Sequence, residues 1–274
     1  MSEQGRVGIE QGVVVGTGGG RDLRADVYTP PEPGPAVPAV VLLHGGAWRH
    51  GDRTQLRGYG IRLGMAGYVC VATEYRLAGE AAWPAQIEDA KAAVRWVRAH
   101  ADRLGVDPDR IAVQGNSAGG HLALLVAGTP GLDEFEGRGG SPGVPTDVAA
   151  VVAIYPPTRL ARVPTDLFAT EQELAARPQA SRDGAREAAR LASPVSHVTD
   201  RFPPTMLIHG EDDEVVPVAD SLVLREALVA AGVPVELHVY PEQPHAFDAQ
   251  PAFGRRCADE MVFFLDRYAR HGAD

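Results

Sequence analysis

The stretch Arg110-Ile111-Ala112-Val113-Gln114-Gly115-Asn116-Ser117-Ala118-Gly119-Gly120-His121-Leu122-Ala123-Leu124-Leu125-Val126-Ala127 contains a G-x-S-x-G core from Gly115 to Gly119. The residues before the core read as a short buried strand and those after it as a helix, so Ser117 falls on the tight turn between them. The flanking glycines remove Cβ atoms that would clash in so sharp a turn. The serine is left in a strained backbone, with its Oγ raised above the sheet edge. The Ala118 N–H opens the helix and points into the same space, where negative charge is favoured. A chain with 31 glycines also produces this pattern in ordinary loops. The strand and helix on its flanks are what make Ser117 a candidate nucleophile.

Outward from this turn, Ala39 to Leu43 is a continuous apolar run of the kind found in parallel strands covered on both faces. Tyr68 to Thr73, Val148 to Ile154, Thr205 to Ile208 and Val235 to Tyr240 read as further strands. Leu56 to Ala66, Pro84 to Arg103 and Val218 to Ala230 read as helices. In the second of these, Ile87, Ala90, Val94, Val97, Ala101 and Leu104 recur at helical spacing, while Lys91, Arg95 and Arg98 fall on other faces and are expected to be solvated. Met261, Phe264, Leu265 and Tyr268 form the apolar stripe of a closing helix. Near the start, Val7 to Val15 and Asp22 to Tyr28 suggest an antiparallel hairpin turned by Gly16-Thr17-Gly18-Gly19-Gly20. No Lys-Ser or Lys-Thr pair follows those glycines, which reads them as a turn rather than a phosphate loop.

This alternation predicts an α/β fold: a doubly wound, mostly parallel sheet with an N-terminal antiparallel hairpin. Residues 1–274 are expected to form one domain, with 158–198 inserted as a small helical cap, because so long an excursion exceeds what one connecting helix needs. Ligands of such sheets bind beyond the strands' carboxyl ends, where His44, Ser117, His209 and His245 all fall.

A formal charge of −10 with no basic block argues against a nucleic-acid partner. Cys70 and Cys257 make neither a disulfide framework nor a metal spacing and read as core thiols. Met1 to Glu10 is polar, and no apolar run approaches a membrane span, so the expectation is a cytoplasmic protein without one. No metal or organic cofactor is expected, and a homodimer is left open.

A serine hydroxyl becomes a useful nucleophile when a positioned base takes its proton, and histidine has the suitable pKa. Of the nine histidines, His44 and His209 each precede a glycine at a strand end and are placed to brace loop backbone. His245 sits in the loop Pro241-Glu242-Gln243-Pro244-His245-Ala246-Phe247 after the last strand, from which it could reach Ser117. The imidazole needs a carboxylate to set its tautomer, and Glu211-Asp212-Asp213-Glu214 follows the strand ending at Ile208. Spacing alone does not separate Asp212 from Asp213. After the central strand, His44-Gly45-Gly46-Ala47-Trp48 lets backbone amides approach a ligand, making Gly46 and Ala47 candidate oxyanion donors beside Ala118. The order nucleophile, acid, histidine is that of the α/β-hydrolases.

Taken together, the chain from Ala39 onward resembles the α/β-hydrolase superfamily, in its esterase branch related to hormone-sensitive lipase, carbohydrate esterases and kynurenine formamidase. His44 to Trp48 resembles that branch's HGG-x-W segment. Tyr75-Arg76-Leu77-Ala78, Trp83-Pro84-Ala85 and Glu88-Asp89-Ala90 resemble its YRLAPE, FPA and EDA block, and Gly115 to Gly120 its GxSAGG turn. His209-Gly210-x-x-Asp213-x-x-Val216-Pro217 is similar to the acid-bearing HGxxDxxVP segment, which selects Asp213. His245-Ala246-Phe247 resembles the terminal HxF motif. The chain departs from the pattern at Ala47, where hormone-sensitive-lipase relatives have a third glycine, at Gly79 in place of proline, and at Asn116, often an acid, His or Gly. The resemblance implies hydrolysis of small to medium acyl esters through an acyl-enzyme, with Ser117, Asp213 and His245 as the triad. Trp48, Trp83 and Tyr155 are candidates for lining the substrate pocket. Arylformamidase action on N-formyl aromatic substrates is the alternative with the same residues. A small-molecule receptor on the same fold is a third reading, disfavoured because every triad member is present.

Overall fold

The computed structural model describes residues 5–32, 34–160 and 186–270. The strands are β1 (Gly8–Gly18), β2 (Arg21–Thr29), β3 (Val37–Leu43), β4 (Val69–Thr73), β5 (Val106–Asn116), β6 (Ala150–Ile154), β7 (Thr205–Gly210) and β8 (Val235–Tyr240). They form one sheet in the order β1-β2-β4-β3-β5-β6-β7-β8. β1 pairs antiparallel with β2, and β2 with β4; every pairing from β4 to β8 is parallel. Among the described residues, the longer helices are α1 (Arg57–Met65), α2 (Ala85–Ala99), α3 (Ala118–Gly128), α4 (Ala219–Ala230) and α5 (Pro251–Leu265).

Alternation along each central strand sends successive side chains to opposite faces, and helices cover both. Val41, Leu43, Val71, Val113, Val151 and Leu207 join residues of α2, α3 and α4 in one core. Val40, Leu42, Cys70, Ala112, Val152 and Met206 join Tyr59 and Leu63 of α1 and Met261, Phe264 and Leu265 of α5 in the other. From β3 the chain goes first to β4 on one side and then to β5 on the other. The winding therefore reverses between β3 and β5, and the loops leaving their carboxyl ends open side by side.

Two expectations need correction. The hairpin turn is the pair Gly19-Gly20, both at positive φ, while β1 continues through Gly16 and Gly18. Those two glycines answer to packing: a Cβ on Gly16 would press on the Gly140 backbone, and one on Gly18 on Arg76 and Asp89. In addition, Lys91 and Arg95 are buried rather than solvated. The connection after α3 folds over that face of α2 and brings Glu136 to within 2.8 Å of both cations.

Most of the expected cap falls on residues 161–185, outside the described residues. The chain on either side of it is tied down. Thr158 N–H and the Arg159 guanidinium bond Asp220 of α4 at 2.9 and 2.6 Å, and Leu160 N–H bonds Ser193 Oγ at 2.9 Å.

Candidate active site

Each strand end contributes one part. β5 ends at Asn116, and Ser117 follows at φ 53°, ψ −119°, in a region that side-chain-bearing residues rarely occupy. The conformation is held by Ser117 N–H donating to Ile154 O at 2.8 Å and by glycines that allow close backbone approach. A Cβ on Gly115 would overlap the Gly119 carbonyl, and one on Gly119 the carbonyl of Leu43 at the end of β3.

β7 ends at Gly210, and the following turn presents Asp213. Asp213 Oδ1 accepts from the Val215 and Val216 amides at 2.9 and 2.8 Å. Its Oδ2 accepts from His245 Nδ1 at 2.6 Å and lies 3.4 Å from His209 Nε2. Burial raises the Asp213 pKa, but hydrogen bonds from His209, His245 and the Val216 amide outweigh it and hold the carboxyl well below the usual range. His209 is buried within β7 itself, between Ser221 Oγ at 2.7 Å and Val216 O at 2.8 Å, and braces the acid's turn.

β8 delivers His245, whose Nε2 lies 2.9 Å from Ser117 Oγ. With Nδ1–H given to Asp213, Nε2 is left as the acceptor for the serine proton. The structure thus brings Ser117, His245 and Asp213 into one hydrogen-bonded line. After β3, Gly46, Ala47 and Trp48 run at positive φ (119°, 52° and 59°), and Gly46 and Ala47 line the same cavity as Ser117. A Cβ on Gly46 would overlap the His50 carbonyl, so this turn requires glycine there. Ala118 N–H stands at the first position of α3, beside Ser117. His44 is buried, stacked on Tyr75 with ring centroids 4.3 Å apart, and bonds Gly45 O at 2.7 Å; burial lowers its pKa.

A cavity of about 840 Å³ opens beside Ser117, between α1 and the segment leading into α5; Leu56, Tyr59, Tyr155, Val215 and Pro251 supply much of its wall. Of the three aromatic candidates, only Tyr155 lines it, with its ring centroid 4.5 Å from that of His245. Trp48 is buried instead, with Nε1–H donating to His121 Nδ1 at 3.2 Å, and Trp83 packs against His121 and Phe135. Both belong to the core on the other face of the sheet, with residues of α2 and α3.

Sequence reasoning missed Asp248, which also lines the cavity. Its carboxylate accepts from Asn116 Nδ2 at 2.6 Å, from Tyr59 OH at 2.7 Å and from Tyr155 OH. Three residues beyond His245, it carries no motif of its own; an acid directly after an apolar Phe247 was its only signal. Among the described residues, no cluster of His, Cys, Asp and Glu is arranged to hold a metal ion, and no helix is long and apolar enough to cross a membrane.

The chain is similar to known esterases over most of its length. The BD-FAE family model matches residues 25–228. Esterase LipC of Mycobacterium tuberculosis is 37% identical over 239 residues, covering 82% of this chain and 55% of LipC, so the chain spans little more than half the length of that relative. Carboxylesterase NlhH of the same organism is 33% identical over 251 residues, covering 85% of this chain and 73% of its own. The structure of Thermogutta terrifontis esterase 2 phosphorylated by paraoxon superposes with a TM-score of 0.78 at 26% identity, covering 96% of this chain and 95% of that one. With the sheet order, the serine turn and the family match all in agreement, the chain belongs to the BD-FAE family and carries the α/β-hydrolase fold.

Proposed function

We propose that this protein is a serine carboxylic-ester hydrolase acting on small to medium acyl esters. The observation that carries the reading is the line from Ser117 Oγ through His245 to the buried Asp213 carboxylate, at 2.9 and 2.6 Å. Ser117 Oγ attacks the ester carbonyl as His245 Nε2 takes its proton, and Asp213 stabilises the imidazolium. The tetrahedral oxyanion faces the amides of Gly46, Ala47 and Ala118, each donor being worth on the order of a hundredfold in rate. Collapse expels the alcohol, protonated by His245. Water activated by the same imidazole then attacks the acyl-serine, and the acid leaves with Ser117 restored.

Leu56, Tyr59, Tyr155 and Val215 offer the acyl or alcohol group an apolar wall. A cavity of about 840 Å³ falls within the range that accommodates whole small molecules. Trp48 packs on His121 instead of lining that cavity, so no observation favours the arylformamidase alternative.

The test is hydrolysis of short and medium p-nitrophenyl acyl esters beside N-formylkynurenine, with wild type and Ser117→Ala in parallel. The expected result is ester turnover that falls by about 10⁴-fold or more in the variant. Turnover of the formamide alone would overturn the ester reading while leaving Ser117 as nucleophile. Absence of any Ser117-dependent turnover would point to a binding role.

A further inference from the structure

The Asp248 carboxylate is engaged on three sides, by elements that also hold the reacting groups. Asn116, the residue before Ser117, donates from Nδ2 to Asp248 Oδ2 at 2.6 Å and to Tyr155 OH at 2.9 Å. Its Oδ1 accepts from Gln114 Nε2 at 2.6 Å. An amide is the side chain of this size that donates on one side and accepts on the other, so Asn116 has every polar atom engaged. Tyr155, directly after β6, donates its hydroxyl to Asp248 Oδ1 and packs its ring against His245. Tyr59 of α1 donates to Asp248 Oδ2 at 2.7 Å. Asp248 itself lies in the turn Phe247–Ala249, which Ala246 enters at positive φ directly after His245.

One hydrogen bond therefore joins nucleophile to base, and a second joins the residue before the nucleophile to the residue three beyond the base. We propose that Asp248 is a positioning residue for ester hydrolysis, holding the Ser117 turn and the His245 loop in register through Asn116, Tyr155 and Tyr59. By the same geometry, an aspartate at position 116 would set a second carboxylate against that of Asp248 in place of a donor. The inference rests on the esterase reading above.

The titratable groups that face this carboxylate are Tyr59 from α1, Tyr155 after β6 and Cys257 from α5; His245 on its own loop, Arg62 of α1 and Arg255 of α5 line the same cavity. Burial, with Asp248 alongside, raises the pKa of both phenols and keeps them as donors. Burial likewise raises Cys257, to about 12, which leaves it a neutral thiol.

The test exchanges the two groups. Asp248→Asn, Asn116→Asp and the double variant are compared with wild type for kcat and KM on p-nitrophenyl butyrate from about pH 6 to about pH 9, with folding checked by urea unfolding. The rate of Ser117 phosphorylation by paraoxon is followed as a readout of attack by Ser117 without the deacylation step, and is expected to fall with kcat in each single variant. Each single variant is expected to lose roughly tenfold to a hundredfold in kcat, with KM changed less than about threefold. For Asn116→Asp the deficit relative to wild type should shrink as pH falls, because two carboxylates in contact share a proton. The double variant again opposes one carboxylate to one amide and is expected to recover to within about tenfold of wild type. Should Asn116→Asp fail to fold, Tyr155→Phe reads the same network: added to Asp248→Asn, it should cost less than it does alone.

Folded single variants at wild-type kcat, or a double variant no better than the worse single, would overturn the positioning role and leave the esterase reading intact. A wild type inert toward both the ester and paraoxon would overturn the esterase reading, and this inference with it.

Discussion

Asp212 and Asp213 are neighbours in a run of four acids, yet their surroundings differ sharply. Asp213 is buried among two amides and two imidazoles, whereas Asp212 is exposed, its N–H bonding Gln243 O at 3.1 Å. Asp213→Asn keeps the shape but offers His245 Nδ1 a donor, favouring the wrong tautomer. Its kcat is expected to fall by about 10⁴-fold while Asp212→Asn stays near wild type, as steady-state kinetics on p-nitrophenyl butyrate would register. His121 poses a different question of proton placement. Its Nδ1 accepts from Trp48 and its Nε2–H donates to Ala192 O at 2.7 Å, so protonation would set two donors against each other. Complete burial pushes its pKa down from 6.5 to about 4. Between these values the unfolded chain binds the proton and the folded one does not, so this contribution is fully present above about pH 6.5 and is lost as pH falls toward 4. Urea unfolding across that window should show a loss on the order of 2–3 kcal/mol that His121→Gln, which does not titrate, flattens.

Helix α2 shows how an element's surroundings change the meaning of its charges. Lys91 Nζ and Arg95 Nη1 each lie 2.8 Å from Glu136, with the two cations buried. Burial works against the charged form of both, and Glu136 opposes it. Removing the counter-charge of buried cations costs more than the pair contributes, because the remaining ions stay desolvated. Glu136→Gln is therefore expected to destabilise the fold by about 3 kcal/mol in urea unfolding, with kcat of the folded protein in the proposed ester hydrolysis unchanged. A kcat that fell in step with stability would show instead that this face of α2 supports the site.

Across the whole molecule, the sheet order sets β5, β7 and β8 within four adjacent strands, and loops that are remote in sequence meet at their carboxyl ends. Asp213 and His245 are held together by main-chain contacts as well: Glu211 N–H bonds Tyr240 O at 2.8 Å, and a Cβ on Gly210 would overlap the Gln243 carbonyl. Gly210→Ala should push the His245 loop outward. The expected outcome is a kcat loss of roughly tenfold or more together with a lower melting temperature, read by ester kinetics and thermal unfolding.

Much of this was legible in the chain as written. The apolar run at Ala39 to Leu43 has the composition of a strand buried on both faces, and the glycines around Ser117 have the spacing of a turn that tolerates no Cβ. Local sterics and hydrophobic periodicity act over a few residues, so they leave a record in the order of those residues. The strands, the helices of both layers and the serine turn follow from that record. What required the tertiary structure was every property set by partners distant in sequence. Lys91 and Arg95 read as solvated because nothing nearby in α2 announces Glu136, more than forty residues on. Trp48 and Tyr155 are both aromatic residues just past strand ends, yet one packs on His121 and the other lines the cavity. Asp248 meets Asn116 across 132 positions of chain. Burial and hydrogen-bond partnership depend on which segments the fold brings together, and no local pattern encodes that choice.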